Sequence, residues 1–584
     1  MESHNQADNG SRTSSISRLD RDLTNSPHSP FPGSVSSSER RMLQRVLPPG
    51  CVPHVCVVGA GMAGLRCAEV LIRNGIKVTI LEGRDRIGGR IHQSSHLGHL
   101  VDEGPNWIHG TESNPILDLA RASQSDLHSW GERQNVFDQN GKLFPPDKAT
   151  EHSDFLWSTI VDAFKFSNKE SGSISPKESL LDFFRKRLRE RSESTESNKL
   201  NLNGAETETE GSSDEQLLWM AEMWGAFIGD PIDRQSLKFF WLEECIDGEN
   251  LFVASTYKKI LDKVAEIALA KADLQFSKKV ISIEGLAAQN ADDQVSVATA
   301  DGKVQKFDEV VVTAPLGWLK QNKEAFSPPL EARLSQAIDA ISYGRLEKVY
   351  LTFPIAFWEN PGVNTGDVQK EPLDEKASTD HAIGFSHWMH PTYASSSNPQ
   401  CWNQEAVNLA ALPSSNAHPT LLFYIYGPCS SHLTSQLSSL PSSEHHETLS
   451  AFFRPYYSRL PHYISSSSDC SPLASQATSW ATDDLAGYGS YCNFQVGLED
   501  ADGDIEAMRT GIPEKGIWLA GEHTAPFIAL GTTTGAYWSG EGVAQRIIEA
   551  YGESRCDEET YRKIKDKREN ILNKEQKIMN GTGN

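Results

Sequence analysis

A G-x-G-x-x-G pattern stands directly after a short β-branched run, with its glycines at Gly59, Gly61 and Gly64. A helical pattern and a second apolar run over residues 77–81 follow, so the segment reads as a strand–helix–strand unit. Such glycines permit the tight turn, the approach of a pyrophosphate to backbone N–H groups, and close helix packing. Glu82 ends the second strand, where a carboxylate can accept both ribose hydroxyls of an adenosine. We therefore predict a dinucleotide site here.

The run EGRDRIGGR, from Glu82 to Arg90, extends this site beyond what NAD needs. A flavin dinucleotide must be held along its length. Gly88 and Gly89 leave room for backbone approach, and Arg84 and Arg90 can neutralise a pyrophosphate in the forked geometry of arginine. The alternative for these arginines is a solvated basic turn.

Composition narrows the class of ligand. The chain has 584 residues and a formal charge of −23, which repels nucleic acid and anionic lipid and attracts a small cation. Its nine cysteines have no paired metal-ligand spacing, so we predict no metal site and a reducing compartment. No apolar run approaches the roughly 20 residues of a membrane span, and the N-terminus has no secretory pattern. We expect a cytoplasmic protein, with a nuclear fraction allowed, and a monomer or weak dimer.

Strand signals recur along the chain between helical patterns, which predicts an α/β fold. Residues 1–48 are rich in Ser, Asn, Arg and Pro, and we predict a disordered tail that does not dock. The stretch 185–216 is almost entirely charged or small, which favours a solvated insertion without a coiled coil. Residues 553–584 are expected to form a charged C-terminal tail.

Taken in order, these motifs resemble those of the flavin-containing amine oxidase family. In that family the glycine turn and the E-x-R-x-R-x-G-G-R run precede a G-x-x-W-[IL]-H-G segment, which here spans Gly104 to Gly110 and includes Trp107 and His109. Further matches are Val311 to Gly317, Phe326 to Leu330, Gly344 with Lys348, Phe357-Trp358, Trp480, Gly489 to Tyr491, Ala520 to Thr524, and Thr533 to Gly540. Together they cover about half of the chain.

The resemblance implies two interleaved domains and a bound FAD. The FAD-binding domain, Rossmann-like, would comprise residues 50–120, 248–330 and 475–552. The substrate domain, a mixed β-sheet flanked by helices, would comprise residues 121–247 and 331–474. Glu522 and Thr533 would contact the ribityl and pyrophosphate side of the cofactor, the backbone of Val280 its adenine, and Trp107 lies within the matching motif.

Four residues take catalytic roles by the same resemblance. Lys348 would hold a water at flavin N5 and assist reoxidation, although by sequence alone it reads as an edge lysine. Tyr491 would align the amine before the flavin, and Trp480 would pack near the ring; both could be core aromatics. His109 matches a position where polyamine oxidases of the family carry His or Glu, and could accept a hydrogen bond from an amine.

The cysteine register bears on how FAD is held. Family members with covalent flavin have a cysteine at the position matching Tyr491, whereas here the cysteine is Cys492, which a strand turns to the opposite face. We therefore expect noncovalent FAD.

The implied reaction is hydride transfer from the carbon beside an amine nitrogen to flavin N5, followed by imine hydrolysis and reduction of O2 to peroxide. A polyamine is the expected substrate. Its distal ammoniums would need carboxylates, and the candidates are Glu222, Glu243, Glu244 and Asp247. The alternatives are a histone lysine demethylase, a monoamine or amino-acid oxidase, and a flavin-binding protein without oxidase activity.

Overall fold

A computed structural model describes Arg45, Leu47 and residues 50–131, 133–199, 210–286, 294–359, 383–413 and 415–552, without the side chains of 194–199 and 210–213. The rest of the predicted N-terminal tail and the predicted C-terminal tail lie outside the described residues. The chain is a mixed α/β protein.

The strands of the described residues are, in chain order, β1 His54–Val58, β2 Lys77–Leu81, β3 Gln93–Ser94, β4 Val101–Asp102, β5 Trp107–Ile108, β6 Leu127–His128, β7 Gln134–Phe137, β8 Leu251–Val253, β9 Asp273–Gln275, β10 Val280–Glu284, β11 Val295–Thr299, β12 Val304–Phe307, β13 Glu309–Val312, β14 Phe326–Ser327, β15 Ser342–Tyr343, β16 Leu346–Thr352, β17 Phe385–Trp388, β18 Gln404–Asn408, β19 Thr420–Tyr426, β20 Ala474–Ala477, β21 Cys492–Asn493 and β22 Ile517–Leu519. The α-helices are α1 Met62–Arg73, α2 Pro115–Ala122, α3 Pro146–Glu170, α4 Leu180–Lys199, α5 Glu210–Ala221, α6 Gly225–Ile228, α7 Lys258–Lys271, α8 Leu316–Gln321, α9 Ala332–Ala340, α10 Gly427–Ser438, α11 Ser442–Tyr457, α12 Ala501–Thr510 and α13 Thr533–Tyr551.

The first sheet carries the glycine turn. Its strands run in the order β22-β13-β1-β2-β9, and each neighbouring pair is parallel. Valines and isoleucines fill β1, β2 and β13, as expected for strands covered on both faces. Helix α1 connects β1 to β2 and packs against α7 and α13. The turn between β1 and α1 therefore lies at the carboxyl edge of the sheet, where ligands of open parallel sheets bind.

A second sheet, in the order β20-β16-β19-β18-β17-β7, draws its strands from distant parts of the sequence. Its pairs are antiparallel except for β17 with β7. One face packs on α10 and α11 through a core that includes Phe423 and Phe453. The other face carries Lys348, Tyr350 and Tyr424 toward the segment after β4. This sheet thus positions side chains against the region of the glycine turn.

The described parts of the polar stretch 185–216 are helical, a feature that the prediction of a solvated insertion did not include. Helix α4 runs through Lys199, and α5 begins at Glu210 and packs against α4. Arg187 and Arg191 pair with Asp162 and Glu151 of α3 at 2.9 and 2.7 Å. Charged residues of high helix propensity can extend a helix without joining the core, and the sequence interpretation overlooked this.

The predicted N-terminal tail docks at Arg45 and Leu47, so the expectation that nothing before residue 49 docks is wrong there. The Arg45 amide donates to the Ala550 carbonyl at 2.8 Å, and its guanidinium pairs with the buried Glu309 carboxylate. Leu47 packs against the core around α1. An ion pair between distant residues produces no apolar periodicity in the sequence, so the sequence pattern did not reveal this contact.

None of the helices in the described part of the chain is long and apolar enough to cross a lipid bilayer.

Candidate functional site

The glycine turn has the shape that a pyrophosphate needs. Gly59 has φ +105°, and a Cβ on Gly64 would lie 2.0 Å from the Gly59 carbonyl oxygen, so α1 packs directly on the strand end. A Cβ on Gly61 would come no nearer than 3.9 Å to Gly88, so the backbone there borders open space. No described side chain caps the start of α1. The site therefore fits a dinucleotide at the helix N-terminus.

Glu82 lies buried at the end of β2, where the prediction placed it. Its carboxylate accepts hydrogen bonds from the amides of Ala60 at 2.7 Å and Arg84 at 2.8 Å. A carboxylate has about four acceptor positions, so both oxygens keep capacity for ribose hydroxyls. The two amides orient the group toward the glycine turn.

The predicted pyrophosphate arginines are paired with carboxylates of the chain. Arg84 donates to Asp483 at 2.8 and 3.0 Å, and Arg90 donates to Glu522 at 3.0 Å and to the Ser490 carbonyl at 2.6 Å. Burial opposes ionisation of Glu522, but Arg90, His523 and Cys492 together outweigh it and the pKa of Glu522 is lowered. A direct role of either arginine at a pyrophosphate stays a prediction.

Three other predicted cofactor residues lie in this region. Gly89 has φ +58° beside Gly61, and Val280 begins β10 with a buried side chain. Thr533 begins α13, and its hydroxyl lies 3.1 Å from the Tyr257 hydroxyl. Tyr257 also donates to the Trp107 carbonyl at 2.6 Å. Tyr257 was missed in the sequence because it lies in no recognised motif.

Lys348 is not an edge lysine. β16 is paired on both sides, with β19 and β20, and the Lys348 side chain is buried with 7% exposure. Its Nζ donates to the Gly104 carbonyl, and it lies 5.8 Å from the centre of the Tyr424 ring. The alternation of polar and apolar residues in β16 could not show that the strand is paired on both sides. Its two partner strands come from residues 420–426 and 474–477, far along the chain.

Three consecutive carbonyls after β4 are held by three side chains from the second sheet and its flank. Tyr350 donates its hydroxyl to Asp102 O at 2.6 Å, Trp480 donates its indole N–H to Glu103 O at 3.0 Å, and Lys348 donates to Gly104 O. We call residues 102–104 the clasped segment. Two of the predicted catalytic residues therefore position the chain that leads into Trp107 and His109. Tyr350 could have been found, since it lies two residues from Lys348 on the same strand face.

Burial shifts the pKa of two ionisable groups, Asp102 in the clasped segment and Lys348 beside it. It lowers the pKa of Lys348, which the nearby Asp102, Glu347 and Glu103 charges oppose. It raises the pKa of Asp102, which the Tyr257 amide and Lys348 oppose. Burial therefore makes each group harder to charge than in water, and the charge of each favours the charged form of the other.

Four other residues are only partly covered by the chain. His109, Tyr491, Glu243 and Glu244 are half-buried, and burial is nonetheless the largest cause of the shift in the pKa of each. The Tyr491 hydroxyl donates to the Phe227 carbonyl at 2.7 Å, and burial lowers the pKa of His109, which stays neutral at neutral pH.

The segment with the acids runs beside the segment with His109. The amides of Thr111 and Glu112 both donate to the Asp247 carbonyl at 3.0 Å, and a Cβ on Gly110 would strike the Ile246 carbonyl oxygen at 2.1 Å. Burial raises the pKa of Glu243 to about 8 and that of Glu244 to about 7, the latter helped by Asp247. Glu222 also has a raised pKa, about 7, from burial.

Cys492 points away from Tyr491, as the strand register predicts. Its side chain is buried in the core that includes Phe494 and Ile341, whereas Tyr491 precedes β21 and reaches Phe227. No group of three or more metal-ligating side chains was found in the ranges that the structure describes.

Comparison with known proteins identifies the family. Residues 62–548 match the model for flavin containing amine oxidoreductases. The chain is 28% identical to Probable polyamine oxidase 4 of Arabidopsis thaliana over 58% of this chain and 64% of that protein. It is 29% identical to mouse Lysine-specific histone demethylase 1B over 52% of this chain and 35% of that protein. Polyamine oxidase 2 of Arabidopsis thaliana is 25% identical over 86% of this chain and 90% of that protein.

The first two of these matches span less than two thirds of the relatives' own lengths. The family match itself covers most of this chain and confirms the resemblance carried by the glycine turn, the arginine run and the Trp107 segment. The chain belongs to the family of flavin-containing amine oxidoreductases.

Proposed function

We propose that this protein oxidises a C–N bond of a polyamine, using FAD held noncovalently in a Rossmann-like domain. The net reaction takes two hydrogens from the carbon and nitrogen of an amine to give an imine, which water hydrolyses, and reduces O2 to hydrogen peroxide. The bound flavin supplies the acceptor for the two electrons.

The interior acids carry the proposal. We infer that Glu243 and Glu244 border one interior space with Tyr491 and His109. The Phe494 amide, close in sequence to Tyr491, donates to Glu243. The Asp247 carbonyl, close in sequence to Glu244, accepts from the amides of Thr111 and Glu112, which follow His109. Gln235 Nε2 and the Phe494 amide donate to Glu243 at 3.2 Å each. A buried acid without a nearby cation is costly when charged, and a substrate ammonium removes that cost. A substrate with several ammoniums therefore matches this lining better than a neutral amine or an amino acid.

The residues near the reacting amine favour its neutral form. Amine oxidation requires a free electron pair on nitrogen, and aliphatic amines have a pKa near 10 in water. An aromatic, desolvated surrounding such as Tyr491 provides lowers that value. Neutral His109 can accept a hydrogen bond from an amine N–H, and Lys348 offers a proton-transfer group beside the clasped segment.

A second candidate is the demethylation of a methylated lysine in a protein. The similarity to mouse Lysine-specific histone demethylase 1B favours it, since its 29% identity to this chain is close to the 28% of Probable polyamine oxidase 4. A methylated lysine is also a cationic amine, so the acids of the interior space would serve it as well. The two functions differ in the size of the substrate.

Peroxide release from the purified holoenzyme separates the candidates. The panel comprises spermine, spermidine, their acetylated forms, a monoamine, an amino acid and a peptide with dimethylated lysine, each followed by product identification. Polyamine oxidation is expected to exceed the other reactions by orders of magnitude. Turnover of the peptide alone would replace the proposal with the second candidate, and no turnover of any amine would refute both.

A further inference from the structure

We propose that Asp102 is a positioning residue that fixes the charge of Lys348 and joins it to the residues predicted to bind flavin. This inference rests on the proposed role of Lys348 and names a second group on which that role depends. Nothing in the motif around Asp102 assigns it a role of its own.

The backbone of Asp102 and the side chain of Lys348 belong to one rigid arrangement. Asp102 ends β4 with 3% exposure, and its carbonyl accepts from Tyr350, two residues from Lys348 on the same face of β16. Lys348 itself holds the carbonyl of Gly104, two residues beyond Asp102. Two side chains of β16 thus donate hydrogen bonds to two carbonyls of the clasped segment, which fixes the spacing between Asp102 and Lys348.

The carboxylate of Asp102 extends this arrangement toward the cofactor side. Both of its oxygens accept from the Tyr257 amide, at 3.1 and 2.9 Å. The Tyr257 hydroxyl meets the Trp107 carbonyl at 2.6 Å and the Thr533 hydroxyl at 3.1 Å. A shift of Asp102 would therefore be felt both at Lys348 and at two residues predicted to lie along the flavin.

Other charges that face Lys348 are already engaged. Glu347 accepts from the Thr478 hydroxyl and, at 2.8 Å, from the Ala481 amide, and it belongs to the opposite strand face. Glu103 accepts from His92 and from Gln476. From β19, the Tyr424 ring is the group that faces Nζ. The Asp102 carboxylate accepts from the Tyr257 amide, and its charge raises the pKa of Lys348 more than the charges of Glu347 and Glu103 do.

Electrostatics gives the expected direction. Burial lowers the pKa of Lys348, and the negative charge of Asp102 works against that shift. Replacing Asp102 by the neutral isostere asparagine leaves burial unopposed by this charge, so the pKa of Lys348 falls further. Lys348 would then lose its proton at lower pH than in the wild type.

The first test is a double-mutant cycle of unfolding by denaturant, with Asp102→Asn, Lys348→Met and the double variant as holoenzymes. If the two charges act on each other, Asp102→Asn should cost stability in the wild type and cost little or nothing beside Lys348→Met. We expect the two effects to differ by at least about tenfold in the unfolding equilibrium constant. Additive effects would overturn the proposal. Glu347→Gln is the matched control and should show smaller coupling to Lys348.

The second test is the pH profile of the anaerobic reduction and the reoxidation of the flavin, measured by stopped flow. Asp102→Asn should lower the apparent pKa of the Lys348-dependent step by about one unit or more, a tenfold change in proton affinity. Wild-type rates in both half-reactions of Lys348→Met would refute the proposed role of Lys348 itself. A slow Lys348→Met with an unshifted Asp102→Asn profile would refute only the present inference.

Failure of Asp102→Asn to fold is also informative. If uncompensated Lys348 is the cause, the double variant with Lys348→Met should fold and retain flavin. A double variant that also fails to fold would show that Asp102 acts only through the Tyr257 amide, and the proposal would be wrong.

Discussion

Glu309 and Glu243 are two acids whose pKa is raised by burial, and the chain gives them different hydrogen-bond partners. Glu309, fully buried at the start of β13, receives the Arg45 guanidinium, the Trp518 indole at 2.7 Å and the Tyr551 hydroxyl at 3.1 Å. Within the described part of the chain, the donors to Glu243 are the neutral Gln235 side chain and the Phe494 amide. Burial raises the pKa of both, but a permanent cation opposes it at Glu309.

The difference indicates what each acid is for. A carboxylate that pairs with a guanidinium of the protein itself links segments of the chain. Glu309 in this way links the residues before β1 to the end of α13. A partly accessible carboxylate that has only neutral donors can bind a cation supplied by a substrate. The variants below test whether Glu309 stabilises the fold while Glu243 binds substrate.

The largest effect is expected from Arg45→Ala. This variant leaves Glu309 buried beside Trp518 and Tyr551 without a cation, and breaking such a pair should cost about 3 kcal/mol of unfolding free energy. Denaturant unfolding measures it. As a matched control, deletion of residues 1–44 retains Arg45 and should cost little, whereas deletion of 1–48 should resemble Arg45→Ala. Equal stability of the two deletions would contradict the structural role of this pair.

Glu243→Gln should act on substrate and not on folding. The amide keeps the shape and removes the charge that a substrate ammonium would meet, so KM for a polyamine should rise about 10- to 100-fold, the usual value of a buried charge-assisted hydrogen bond. Unfolding free energy should change by less than about 1 kcal/mol, because the buried acid no longer needs a charge. Glu309→Gln is the control, and it should leave KM unchanged. A KM unaffected by Glu243→Gln would remove Glu243 from the substrate site.

The pH dependence of KM should follow the same acids. With pKa values of about 8 and 7, Glu243 and Glu244 are partly protonated at neutral pH and become carboxylates as pH rises. KM for a polyamine should therefore fall between pH 6 and pH 8.5, by up to about tenfold per pH unit for one group. Stability should change in the opposite sense. Because the folded pKa values are raised from 4.5, these acids favour folding at low pH, and that contribution is lost progressively as pH rises from about 4.5 to about 8.

Cys492→Ala should have the smallest effect on the cofactor. If the flavin is noncovalent, acid precipitation should release intact FAD from both the wild type and the variant in equal amount. The loss of one buried sulfur should cost about 1 kcal/mol or less of unfolding free energy. Flavin that remains with the denatured wild-type chain but not with the variant would show a thioether at Cys492.

The sequence by itself determined the local parts of this protein. The glycine turn, α1, β2 and Glu82 lie within 30 residues, so glycine spacing and apolar periodicity specify them without reference to the rest of the chain. The family also followed from motif order, because each motif is itself local. Even the orientation of Cys492 relative to Tyr491 followed from the two-residue period of an extended chain.

The tertiary structure alone decided what surrounds the charged residues. Lys348 is interior because β19 and β20 flank β16, and those strands lie some 70 and 130 residues further along the chain. Ion pairs link the helical part of 185–199 to α3, and the docking of Arg45 involves an ion pair with Glu309. Burial and partner charges arise from contacts between distant segments, so no local pattern encodes the protonation of Asp102, Lys348 or Glu243.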